Sequence, residues 1–290
     1  MVLIILVWAP FTFGTLGCVW YVGRDGTERN EAFRPAFGAL KMGGTGCSTG
    51  QILGVFAFHL SPLERVRPVV ETGYENLLLV RLLLEMRMPS IRESSVAEGL
   101  TMEGILEKWS ELKPVIMAEW GVEMDALIHL FGKVRDEWMD EDLTTWIGAN
   151  RNDHLTDLLL GEYSSVFRPC HSLASSFPHS SFAQARFGNA LLRELAGVTI
   201  PPEKIFGLGS GPKVEELKQL QKKPEHQGLK LHFVEDQLAI LKNVIKEPEL
   251  DGWNLYLGNW GYNTQKEREE AETIPRIQIV ELSDFSKKLK

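Results

Sequence analysis

The chain has 290 residues, of which 44% are hydrophobic and 24% charged, with a formal net charge of -8. That length suffices for one large α/β domain or for a core with a smaller added domain. The acidic surplus and the lack of a dense Lys/Arg block exclude a nucleic-acid partner and an anionic membrane surface, and leave room for a small anionic ligand at a local basic site. Three cysteines, Cys18, Cys47 and Cys170, are too few and too scattered for a disulfide framework or a Cys-based zinc site, so a reducing compartment, cytoplasmic or plastid-like, is expected. The sequence carries no signature of an oligomeric state.

From the N-terminus, Met1 to Gly23 holds no charged side chain and is long enough to cross a bilayer. Pro10, Gly14 and Gly17 interrupt it and no basic segment precedes it, which speaks against a signal peptide. Two readings stay open: a membrane anchor in residues 1–23, or a buried strand with an apolar tail. Residues 1–66 as a whole have little periodicity. The glycines at 44, 46 and 50 lack the Gly-Lys-Ser/Thr ending of a phosphate loop and read as an ordinary loop.

Residues 67–150 change character. VVETGYENLLLVRLLLEMRM, TMEGILEKWSELKPVIMAEW and MDALIHLFGKVRDEWMDEDLTTWI space apolar residues at helical intervals, which predicts three or more amphipathic helices. Gly104 and Pro114 punctuate this block without ending it, and Trp109, Trp120, Trp138 and Trp146 are expected to pack helix on helix. Residues 151–185 are polar and Ser-rich and read as a connection. His171 with Ser172, Ser175 and Ser176 lacks the GxSxG turn of a serine hydrolase.

Over 186–290 short strands and helices alternate. FAQARFGNALLRELAG predicts a helix stopped at Gly197, VTIPPEKIFGLG a short unit, and Pro212 to about Gln221 a helix. LKLHFVED predicts a strand, QLAILKNVIK a helix, WNLYLG a strand, TQKEREEAE a helix, IPRIQIVEL a strand and DFSKKLK a closing helix. Such alternation predicts an α/β fold with a parallel sheet. His226 and His232 read as loop and strand-face residues, because the histidines lack metal-ligand spacing.

The chemistry concentrates at two places. Glu235 and Asp236 end an apolar strand, where an α/β sheet holds metal or phosphate. Their hard oxygens suit Mg²⁺, which needs only one or two carboxylates beside a substrate phosphate. The plainer reading of Asp236 is an acceptor for the first N–H groups of the next helix. Lys213 follows Gly207, Gly209 and Gly211, with Pro212 read as the first helical position, so its ammonium belongs to a loop-helix junction where anions bind.

These segments resemble the haloacid dehalogenase superfamily, in particular phosphoglycolate-phosphatase-like hydrolases with a helical cap inserted in a Rossmann-like core. GSGPKVEELKQL is similar to the family's lysine motif and LHFVEDQLAIL to its acidic metal motif. YLGNWGYNTQKEREEA with IPRIQIVELSDF is similar to the family's end, where a WGY-type loop precedes a helix, and RPVVETGYENLLLVRLL resembles the cap of a plant and cyanobacterial group. The likeness covers residues 67–148 and 186–290. It implies a helical cap over 67–150 and the C-terminal half of the core over 186–290. It further implies Mg²⁺-dependent hydrolysis of a small phosphorylated molecule, with Lys213 offsetting phosphoryl charge, Gly211 beside the phosphate, and Asp236 with Glu235 on the metal.

In the family, the first Asp of an hhhDxDGT strand tip attacks phosphorus and the second serves as general acid and base. If CVWYVGRDGT is the counterpart, Asp25 fills the second Asp place and Gly23 stands where the nucleophile belongs. The phosphate-gripping hydroxyl is expected before FAQARFGNALLREL, where Ser180 and Ser181 are the stand-ins. The resemblance thus implies either a phosphatase of much reduced activity or a non-catalytic binder of a phosphorylated ligand or protein partner, with membrane tethering a third reading.

Overall fold

A computed structural model of the chain describes residues 2–7, 63–150, 179–180, 185–197, 205–206, 212–281 and 283–284. The chain divides into two compact units, Met1–Phe11 with Arg151–Lys290, and Thr12–Asn150.

The first unit is a mixed α/β structure built on a parallel sheet. Its strands are β1 (Val2–Val7), β2 (His179–Ser180), β3 (Ile205–Phe206), β4 (Lys230–Glu235), β5 (Trp253–Gly258) and β6 (Ile277–Val280), in the spatial order β3-β2-β1-β4-β5-β6. All neighbouring pairs run parallel. Parallel strands need crossover connections, and the described helices of this unit are α6 (Ala185–Ala196), α7 (Lys213–Lys222), α8 (Leu238–Ile245) and α9 (Gln265–Glu272).

β4 and β5 read as near-continuous apolar runs because helices cover both faces of such a sheet. From His232 to Glu235 every residue of β4 is buried. Phe233, Leu255 and Leu257 pack with Leu217 and Leu220 of α7 and with Leu238, Leu241 and Val244 of α8. Each fully buried Leu or Phe of this kind contributes about 1.5–3 kcal/mol against its exposed state. α6 stops at Gly197, whose φ of 65° is the left-handed conformation that closes a helix. Thr264 caps α9 reciprocally with Glu267. Thr264→Ala is expected to lower stability by about 1 kcal/mol in urea unfolding.

Several sequence expectations change. Val2–Val7 lies between β2 and β4, so these six residues of the apolar N-terminus are committed to the sheet, and among the described residues no helix is long and apolar enough to cross a membrane. The Ser-rich connection carries β2, which the sequence did not predict because two residues give no periodicity; backbone pairing to β1 and β3 forms it. α7 begins at Lys213 with Pro212 outside it as the N-cap, ψ 136°. DFSKKLK falls almost wholly outside the described residues, as does the glycine loop at 44–50.

In the second unit the described residues are helical: α1 (Leu63–Val66), α2 (Glu75–Arg87), α3 (Met102–Glu119), α4 (Met124–Glu141) and α5 (Leu143–Asn150). Trp109, Trp120, Trp138 and Trp146 are all buried, as expected. α2 departs from the amphipathic expectation, being buried on every side from Glu75 to Glu85. Its polar residues find partners inside. Arg81 donates to Glu85 at 2.9 Å and Glu93 at 2.5 Å, with its guanidinium 4.2 Å from the Trp120 ring centre. Glu75 accepts from Trp109 Nε1 at 3.2 Å and Lys113 Nζ at 2.9 Å. Helical spacing cannot distinguish a charge facing water from one paired in the interior.

Candidate functional site

The order of the sheet locates the site before any side chain is considered. Strands β1, β2 and β3 proceed outward on one side, and β4, β5 and β6 on the other. The crevice at the carboxyl ends of β1 and β4 is therefore where the order reverses, the place at which open α/β sheets bind ligands. Leu6 pairs with Val234, so Val7 and Glu235 stand one step further toward that edge. Ser180 pairs with Val7 and Glu235 with Leu257, on the same edge.

Glu235 is the last residue of β4 and is buried among apolar neighbours. One carboxylate oxygen, Oε2, accepts from Lys213 Nζ at 2.7 Å, both side chains being buried. The other, Oε1, accepts from the backbone N–H groups of Asp236 at 3.1 Å and Gln237 at 3.2 Å. Burial pushes the Glu235 carboxyl up to about 8; Lys213 pulls it down and the neighbouring Asp236 adds to the rise. Desolvation dominates because hydrogen bonds replace bulk water on both oxygens only in part.

Asp236 is held differently. Its Oδ2 accepts from the backbone N–H of Tyr262 at 3.1 Å, and its side chain also lies in hydrogen-bonding contact with the Glu235 carboxyl. The side chain therefore does not cap α8, contrary to the plainer sequence reading. No side chain caps α8; Glu235 accepts the N–H groups of Asp236 and Gln237, which precede the helix. Among the described residues Glu235 accepts three N–H hydrogen bonds and the Asp236 side chain one, so Asp236 is the carboxylate with more capacity left for a cation. Among the described residues no group of three His, Cys, Asp or Glu side chains forms a closed metal cage. Mg²⁺ needs only one or two protein carboxylates beside substrate oxygens and water, and Asp236 at this sheet edge fits that share of its ligands.

The structure thus brings Lys213 to the adjacent acids Glu235 and Asp236, from which it is distant in sequence. It sets the Ser180 backbone at the same sheet edge through β2. Asp25, Ser181 and Gly211 lie outside the described residues. So does the rest of CVWYVGRDGT; the two neighbours of β4 are β1 and β5, so the strand alongside the acids is VLIILV.

Sequence reasoning quoted the WGYNT loop without giving it a role. In the fold Asn263 Nδ2 donates to the carbonyls of Asp236 at 2.9 Å and Gly258 at 2.8 Å. Gly261 passes so close to Asp236 that an added Cβ would stand 2.1 Å from the Asp236 Cβ. A Gly and an Asn placed between an apolar strand and a capped helix were the available signal.

No protein-family model, no curated protein and no solved structure matches the chain in comparison.

Proposed function

We propose that the chain is a haloacid-dehalogenase-like protein, with a Rossmann-like core and an inserted helical cap, that binds a small phosphorylated molecule together with Mg²⁺ at a phosphatase-derived site. The observation that carries the reading is the 2.7 Å contact of Lys213 with Glu235, beside the Asp236 carboxylate, at the edge where the strand order reverses. The strand order and the lysine-then-acids sequence of the motifs support the superfamily reading.

At this site Lys213 supplies a fixed positive charge for phosphoryl oxygens. Glu235 holds that ammonium in place through the hydrogen bond at 2.7 Å. Asp236 would hold the cation, which would supply Lewis-acid polarisation of a phosphoryl oxygen. Binding in preference to turnover is favoured by the strand alongside β4: it ends at Val7, and no Asp or Glu occurs between Val7 and Asp25. A strand-tip carboxylate is what covalent phosphoryl transfer requires.

Equilibrium binding of Mn²⁺, with and without inorganic phosphate, tests the site, beside hydrolysis of an aryl phosphate. Asp236→Asn is expected to weaken cation binding at least 10-fold, and Lys213→Ala to abolish the phosphate enhancement, with no turnover by the wild type. Hydrolysis that disappears in both variants would establish the enzyme reading with Asp25 as the remaining carboxylate. Cation binding unchanged by Asp236→Asn would remove the site altogether.

A further inference from the structure

The β5–α9 loop makes more contacts to Asp236 than loop closure requires. Asn263 is buried, and its amide spans the ends of two strands by donating to Asp236 O at 2.9 Å and Gly258 O at 2.8 Å. The amide orientation is fixed from the other side, because Arg268 Nη1 donates to Asn263 Oδ1 at 2.8 Å and to the Asn263 carbonyl at 2.8 Å. A guanidinium has no acceptor, so only the NH₂ end of the amide can face the two strand carbonyls. The preceding residue, Tyr262, donates its N–H to Asp236 Oδ2 at 3.1 Å. One loop thus fixes the backbone of Asp236 and one of its carboxylate oxygens.

We propose that Asn263, oriented by Arg268, is a positioning residue for cation binding at Asp236. The inference rests on the reading of Asp236 as the cation ligand. Groups that orient a metal ligand without touching the metal typically change affinity 10–100-fold when lost. Asn263→Asp is the informative substitution, since it preserves shape and a partner for Arg268 while replacing the amide donor by an acceptor. General electrostatics would make the added negative charge strengthen cation binding. Loss of position makes it weaker.

The test is Mn²⁺ binding to the full chain followed by electron paramagnetic resonance, with near-ultraviolet circular dichroism confirming the fold of each variant. Asn263→Asp is expected to weaken binding about 10–100-fold, and Arg268→Gln, on the less buried side of the network, to weaken it by a smaller factor with the fold intact. Thr264→Ala, which loosens the same loop-helix junction without touching Asp236, is expected to bind as the wild type does. Wild-type affinity in Asn263→Asp and Arg268→Gln, beside a defective Asp236→Asn, would overturn the positioning role while the site survives. An equal loss in Thr264→Ala would assign the effect to loop stability and overturn it as well. Unchanged affinity in Asp236→Asn would show that the cation does not bind at Asp236, and both readings would fall together.

Discussion

Replacing Lys213 by methionine is expected to destabilise the protein by about 3–5 kcal/mol at pH 9, because the buried Glu235 carboxyl must then either stay charged without its partner or bind a proton from alkaline solvent. The Lys213–Glu235 pair at 2.7 Å is buried on both sides, so water cannot replace the lost ammonium. The same substitution is expected to matter much less at pH 6. In the wild type, burial raises the Glu235 carboxyl from 4.5 to about 8, so between those values the folded state holds a proton that the unfolded chain has released. A group whose value is raised on folding contributes most stability below its unfolded value and loses it as pH rises. The loss is at most about 1.4 kcal/mol per pH unit for one proton. Removing Lys213 takes away the charge that pulls this carboxyl down, and the midpoint moves higher still.

Urea unfolding of the wild type and Lys213→Met at the two pH values measures this difference directly. Lys213→Met combined with Glu235→Gln is expected to recover most of the stability at pH 9, since no uncompensated charge remains. Equal stability of wild type and single variant at pH 9 would mean that the pair is not buried as described. Failure of the second substitution to recover stability would assign the loss to packing of the lysine stem.

Gly261→Ala is the second large effect. The new Cβ would lie 2.1 Å from Asp236 Cβ and 3.0 Å from its Cγ and Oδ2, closer than any non-bonded contact allows. The loop cannot swing away freely, because Gly261 N donates to Gly258 O at 3.2 Å and Asn263 N to Gly261 O at 3.0 Å. The strand tip and the loop must separate, at about 1–3 kcal/mol of overpacking, and the Tyr262 bond to Asp236 breaks with them. Cation affinity should fall about 10–100-fold for the same reason. Gly252→Ala is the comparison: nothing lies within 4 Å of its added Cβ, and the expected change is within about 0.5 kcal/mol. Thermal unfolding and Mn²⁺ binding of the two variants check this, and a Gly261→Ala protein equal to Gly252→Ala in both would contradict the close approach.

Much of the unit that carries the site was legible in the chain. WNLYLG formed β5 residue for residue, Gly197 ended α6, and the alternation over the last hundred residues specified a parallel sheet, because period and turn chemistry are local properties. The convergence of Lys213 with Glu235 and Asp236 was legible too, since both lie at strand-helix junctions on one edge of such a sheet. The role of VLIILV was not. An apolar run before a proline fits a buried strand or a membrane segment equally well, and only pairing with β2 and β4 decides between them for Val2–Val7.

By itself the sequence determined the helical block, most elements over 186–290 and which acids and lysine would share an edge, since side-chain periodicity and backbone propensity act over a few neighbouring residues. The tertiary structure alone decided which carboxylate pairs with Lys213, which loop groups hold Asp236, and that α2 is buried on all sides. Those outcomes depend on what each group meets across the fold, where hydrogen-bond partners and desolvation, rather than spacing along the chain, set the chemistry.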